Sequence, residues 1–192
     1  AADNEGVGLF DMERAAFERL GGTIRFNAGV TGLVENGGRV TGVTVADETL
    51  SADAIILACG GYEASESERI QQYGAHWAAA KVRGTPHNTG DGVRMAKTMG
   101  AMGYGKFDGC HATPMDLNMP EYGNLDLPPK ERKKYRKICY FLGVMLNAEG
   151  QRFVDEGINF RNYTYAQFGR AVLEQPGHFA WQVFDSKVFD LL

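Results

Sequence analysis

Five consecutive apolar residues, Ala54 to Ala58, run into Cys59 and then the pair Gly60-Gly61. A run that is apolar on both faces predicts a central strand covered on each side, as in α/β sheets. The glycine pair strips the end of that strand of side chains, so main-chain N–H groups there could press against a ligand. In nucleotide-binding α/β folds such a strand comes late, after an opening strand that ends in Gly-x-Gly-x-x-Gly. The nearest match to that opening is Gly6-Val7-Gly8, which has no third glycine and no apolar strand before it. The expectation is the back half of a dinucleotide-binding domain, in a fragment of a longer protein.

What surrounds the run agrees with that expectation. From Gly8 to Leu20, Leu9, Met12, Ala16 and Leu20 recur at helical spacing, and Gly21-Gly22 supplies a stop. Three β-rich runs follow: Thr23 to Phe26, Val30 to Glu35 and Arg39 to Ala46, the last two joined by Asn36-Gly37-Gly38, a tight-turn sequence. After Tyr62 the pattern changes. Ser65 to Glu68 is a capping box opening a short helix, and Thr89-Gly90-Asp91-Gly92 is a tight turn into a helix with Val93, Ala96, Met99 and Gly100 on one face. Residues 107 to 129 read as a long loop rich in Pro, Gly, Asn and Asp. A hairpin turning at Asn147 to Gly150, a helix over Asn162 to Gln175 and a strand over Phe179 to Asp185 complete the pattern.

The predicted organisation is α/β over residues 1 to 62, a partial nucleotide-binding domain with a β-meander, followed by an α+β capping domain over residues 63 to 192. A formal net charge of -4 gives no reason to expect nucleic acid. The basic stretch Lys130 to Lys137 reads either as a solvated face or as a docking patch for an acidic electron-transfer partner or an anionic lipid surface. Cys59, Cys110 and Cys139 lie far apart, which argues against a metal cluster or disulfide framework and for a reducing compartment. No apolar run approaches the roughly 20 residues of a membrane-spanning helix.

Four motifs occur in a telling order: Ala58-Cys59-Gly60-Gly61, Thr89-Gly90-Asp91-Gly92, the histidine motif Gly109-Cys-His-Ala-Thr-Pro114, and Arg152-Phe-Val-Asp-Glu156. In that order they resemble the flavoprotein subunits of the fumarate reductase and succinate dehydrogenase family. The stretches from Lys81 to Gly92, Gly109 to Gly123, Arg152 to Arg170 and Gln175 to Asp185 look more narrowly like its tricarballylate dehydrogenase branch, which oxidises a propane tricarboxylate to cis-aconitate with bound FAD.

The resemblance implies roles residue by residue. Val30, Ala58, Gly60, Gly61 and Asp91 would contact FAD, Val30 through its backbone near the adenine. Asp91 reads equally as a plain helix N-cap. Cys59 stands where the family has threonine, as a flavin-side thiol or a buried inert one. His111 would donate to a substrate carboxylate, with Thr113 in the same motif, and Ala112 replaces the family's proline; Arg83, upstream of Asp91, reads as a positive group for substrate carboxylates or equally as a surface residue. His87 is a further cationic candidate near Arg83. Arg161 would exchange the proton at the carbon next to a carboxylate, with Glu156 as relay, although it follows Glu156 by five residues where the family has four. An arginine can serve only where the carbon acid is comparably weak, since its pKa lies above about 12.

These roles imply an enzyme that oxidises a CH–CH bond of a polycarboxylate, with an electron-transfer partner that reoxidises the flavin. A cytoplasmic setting, membrane-associated through that partner, is expected. A fumarate or urocanate reductase, a ketosteroid dehydrogenase and a non-catalytic cap module remain as alternatives. As a fragment, the chain is expected to bind FAD weakly and to be inactive alone.

Overall fold

A computed structural model of the chain describes residues 5–123, 127, 128, 131 and 135–191. Half of the basic stretch, Lys130 and residues 132–134, lies outside the described residues, as does part of the loop predicted over 107–129. Contacts divide the chain into two compact units.

The first unit comprises residues 1–62 and 88–105. Helix α1, Glu5–Arg19, begins earlier than predicted and takes in Gly6 and Gly8, so those glycines form no nucleotide-binding turn. Strands β1 (Val30–Asn36), β2 (Arg39–Val45) and β3 (Glu48–Ser51) form an antiparallel meander with β2 in the centre. Gly37 and Gly38 both take positive φ, 62° and 81°, the geometry that a two-residue turn between right-twisted strands requires. Helix α3 (Asp91–Thr98) lies beside β1.

Two predicted strands are not strands. Residues 23–26 and 54–58 form no strand, and Ile56 is 89% exposed where the apolar run predicted a covered position. A strand is defined by the hydrogen bonds of its neighbour. No described segment runs alongside either stretch, so the pattern that favours a buried strand has nothing to pair with.

The second unit comprises residues 63–87 and 106–192. Helix α2 (Glu66–Tyr73) opens as the capping box predicts, with Ser65 Oγ accepting from the Glu68 N–H at 3.3 Å. Buried Arg69 donates to the carbonyls of Glu63, Trp77 and Ala80 and ties α2 to the turn after it. The loop after residue 106 is irregular but anchored: Lys81 Nζ donates to the Leu117 and Met119 carbonyls at 2.7 and 2.6 Å, over a buried Met119.

Strand β4 (Val144–Leu146) pairs with β5 (Trp181–Val183), and the predicted turn at Asn147 to Gly150 forms beside it. The returning arm of that turn pairs with β4 at one bridge, Leu146 to Arg152, on the edge away from β5. Helix α4 (Arg161–Leu173) packs Phe168 into the core with Tyr140 and Met145. Among the described residues no helix is long and apolar enough to cross a membrane.

Candidate functional site

In the first unit the stretch from Ala58 to Gly61 meets the turn that carries Asp91. The main-chain amides of residues 54–60 have no backbone partner among the described residues, and all of these residues but Ile55 are exposed. Gly60 has φ 76°, and a Cβ there would stand 2.9 Å from the Asn88 side-chain amide. A Cβ on Gly92 would meet the Cys59 sulfur at 2.2 Å. Residues 59–62 therefore pack directly onto the start of α3, and that contact draws residues 88–105, predicted with the second domain, into the first unit. Cys59 is exposed rather than buried, with its sulfur against Gly92.

Gly90, at φ 90°, is the N-cap of α3, and Asp91 is the first helical residue. The N-cap reading of Asp91 is thus corrected. Its carboxylate accepts from Thr89 Oγ1 at 3.1 Å and pairs with Arg94, locking the turn. Val30 opens edge strand β1, opposite Val45, and a register irregularity follows it. One side of its main chain faces no strand among the described residues.

In the second unit α4 organises the other set. The Ala112 N–H donates to the Ala166 carbonyl at 3.3 Å, and a Cβ on Gly169 would lie 2.4 to 2.5 Å from main-chain atoms of Ala112 and Thr113. Only glycine lets the His111–Thr113 segment rest on the helix there. The exposed His111 ring meets Tyr165 edge-on, with centroids 5.1 Å apart. Tyr165 lies four residues after Arg161 and so shares its helix face. His111 thus contacts the helix that Arg161 begins, although the two lie 50 positions apart in the sequence.

The Arg161 guanidinium carbon lies 5.3 Å from the centre of the Phe141 ring, and no carboxylate partners it among the described residues. Thr113 is half-buried with its backbone at Gly169. Arg83 and His87 are exposed, and neither contacts His111 or Arg161 among the described residues.

Glu156 is not brought to Arg161. It is 3% exposed, and Oε2 accepts from Arg152 Nε and Nη2 at 2.9 and 2.5 Å. Oε1 accepts from the Met145 N–H at 2.5 Å. Burial pushes the Glu156 carboxyl up, but the Arg152 and main-chain hydrogen bonds outweigh it and hold the pKa below the ordinary glutamate value. A carboxylate so engaged fastens β4 to the 152–157 loop and is poorly placed to relay protons. Sequence reasoning missed three participants. Gly169 left a signal, a glycine inside a helical pattern; Tyr165 and Phe141 read as ordinary apolar positions.

The FAD binding domain family matches residues 3–188. The chain belongs to that family. As an FAD binding domain chain it is 29% identical to a 3-oxosteroid 1-dehydrogenase of Mycobacterium tuberculosis, over 96% of its own length and 34% of the relative's. It is likewise 29% identical to a probable fumarate reductase of Shewanella frigidimarina, over 97% of its length and 30% of that protein's. It spans about a third of the curated relatives it matches.

Among solved structures, a 3-ketosteroid Δ1-dehydrogenase from Sterolibacterium denitrificans in complex with 1,4-androstadiene-3,17-dione aligns with a TM-score of 0.66 at 27% identity, covering 91% of this chain and 31% of that one. The open conformation of a flavocytochrome c3 fumarate reductase shares the fold, with a TM-score of 0.62 at 24% identity over 96% of this chain and 31% of the other. FAD is the cofactor that family membership brings. The exposed main chain before Gly60, whose N–H groups make no backbone hydrogen bond among the described residues, and the open edge at Val30 fit such a group.

Proposed function

We propose that the chain supplies part of the FAD site and the carboxylate-reading surface of an oxidoreductase that acts on a CH–CH bond beside carboxylates, with tricarballylate oxidised to cis-aconitate. In this reading residues 1–62, together with 88–105, contribute to the nucleotide domain and the remainder forms the substrate cap. Bound FAD supplies the two-electron chemistry. The residues of this chain do the rest. Main chain at Val30, Ala58, Gly60 and Gly61 seats the nucleotide, with Asp91 fixing the turn beside it. His111 and Thr113 receive a carboxylate, and Arg161 holds or gives up the proton at the adjacent carbon, in whichever direction the electron acceptor drives.

The observation that supports the reading is an Arg161 with no protein carboxylate among the described residues, on the helix whose Tyr165 meets the His111 ring. A cation left without a protein counter-ion suits an anionic ligand, which must exchange water for charged donors. The exposed Ile158, Phe160 and Tyr163 at the start of α4 favour a second reading, a 3-oxosteroid substrate, in keeping with the steroid dehydrogenases among the relatives.

The test is an anaerobic titration of the flavin-loaded full-length protein. Loss of the flavin's visible absorbance with tricarballylate, abolished in Arg161→Ala, supports the polycarboxylate reading. Loss with a 3-oxosteroid and none with tricarballylate replaces it by the second.

A further inference from the structure

We infer that Phe141 is a positioning residue for Arg161, holding the guanidinium by its ring face in place of a carboxylate; the inference rests on the polycarboxylate reading above. An arginine that must meet an anionic substrate needs its orientation fixed, yet a carboxylate partner would neutralise it and occupy the donors the substrate requires. A ring face orients the cation through its quadrupole and consumes none of the five N–H groups. Arg161 has this arrangement, with its guanidinium carbon 5.3 Å from the Phe141 centroid.

The ring is itself held from the core. Phe141 lies in the turn Tyr140–Leu142, and the Tyr140 ring meets it edge-on at 6.1 Å and 89°. Tyr140 is 1% exposed, stacks on Phe168 of α4 at 4.2 Å and 23°, and shares a hydrogen bond of 3.1 Å with Thr164 Oγ1. Thr164 Oγ1 donates to the Arg161 carbonyl at 3.4 Å. Tyr140 thus grips α4 at two points and sets the ring that faces Arg161, so the guanidinium and the helix bearing it are referenced to one buried side chain.

The test measures binding and turnover separately in the flavin-loaded full-length protein. Citrate is the binding probe: its central carbon carries a hydroxyl, so it has carboxylates but no CH–CH bond to oxidise. Phe141→Leu removes the quadrupole and keeps an apolar side chain; Phe141→Tyr and Phe141→Trp keep the ring. The expected result is citrate binding about two- to five-fold weaker in Phe141→Leu, the size of a ring-face contact at a partly exposed site, and retained in the Tyr and Trp variants. Tricarballylate turnover at saturation should fall further than citrate affinity in Phe141→Leu, with flavin content and melting temperature unchanged. Equal citrate affinity and turnover in Phe141→Leu and the wild type would overturn the inference while leaving the substrate reading intact. Equal losses in all three variants would mean that Phe141 acts only through its fit, and would overturn it too. A wild type that binds neither citrate nor tricarballylate would remove the substrate reading and this inference with it.

Discussion

Replacing Gly169 by alanine tests whether α4 carries the histidine segment. The added Cβ would stand 2.4 Å from the Ala112 carbonyl carbon and 2.5 Å from both the Ala112 oxygen and the Thr113 nitrogen. Ordinary contact needs about 3.4 Å or more, so a gap of roughly 1 Å must open against main chain, which cannot rotate away as a side-chain tip can. Overpacking costs about 1–3 kcal/mol, and a backbone obstacle places this case at the upper end. Alanine recovers about 1 kcal/mol of helix propensity relative to glycine. The net is about 2 kcal/mol of destabilisation, or roughly 4–8 °C in Tm for a domain of this size. Gly6→Ala in α1 is the control, because a Cβ there meets nothing within 4 Å and alanine should stabilise by up to about 1 kcal/mol. Thermal melts of the flavin-loaded protein, with citrate affinity measured alongside, read both consequences. A Gly169→Ala variant that melts at or above the wild type and binds citrate equally would refute the account of how His111 is placed.

Other perturbations follow from the same geometry. Arg161→Lys should slow flavin reduction by tricarballylate by about 10²–10⁴-fold without loss of flavin, because the ammonium lacks the planar fork and reaches the reacting carbon differently; stopped-flow absorbance checks it. Glu156→Gln should destabilise by about 1–2 kcal/mol at neutral pH, as charge-assisted bonds to Arg152 and the Met145 N–H weaken. Since the folded-state pKa of Glu156 lies below its unfolded value, that advantage of the wild type is complete above the ordinary glutamate pKa of about 4.3 and is lost as pH falls through the folded value, so urea midpoints of the two proteins should converge in acid. Ser65→Ala removes the acceptor of the Glu68 N–H and should cost about 1 kcal/mol, or 2–4 °C in Tm.

Where the sequence was legible, the signals were local. Asn36-Gly37-Gly38 fixed the meander's first turn, because two consecutive residues at positive φ leave few alternatives to glycine. Ser65 announced α2 because a cap is satisfied within its own turn. The helix beginning at Arg161 was expected one residue late and carried two residues past its end at Leu173. Strand pairing was not legible in the same way. The apolar run 54–58 has the composition of a buried strand, but composition does not supply a neighbour, and the run stays unpaired in the structure. Likewise β4 pairs along its length with β5, 35 or more residues away, and at Leu146 alone with the segment just after its own turn.

The site shows the same division, with one added lesson about charge. Motif order singled out Glu156 and Arg161 together, five positions apart, as a proton-handling pair. The fold separates their roles by giving each a different partner: Glu156 is buried against Arg152 and a main-chain N–H, while Arg161 faces an aromatic ring. Both choices are favourable for the same physical reason. A carboxylate withdrawn from water needs every acceptor site answered, and Arg152 at i−4 answers it, whereas an arginine meant for an anionic ligand must be left without such an answer until the ligand arrives. Spacing along the chain carries neither fact, because it records which residues are close in sequence and not which of two nearby cations a buried carboxylate will take. The partition of Arg152 and Arg161 between Glu156 and Phe141 is therefore the feature of this site that the three-dimensional structure alone supplies.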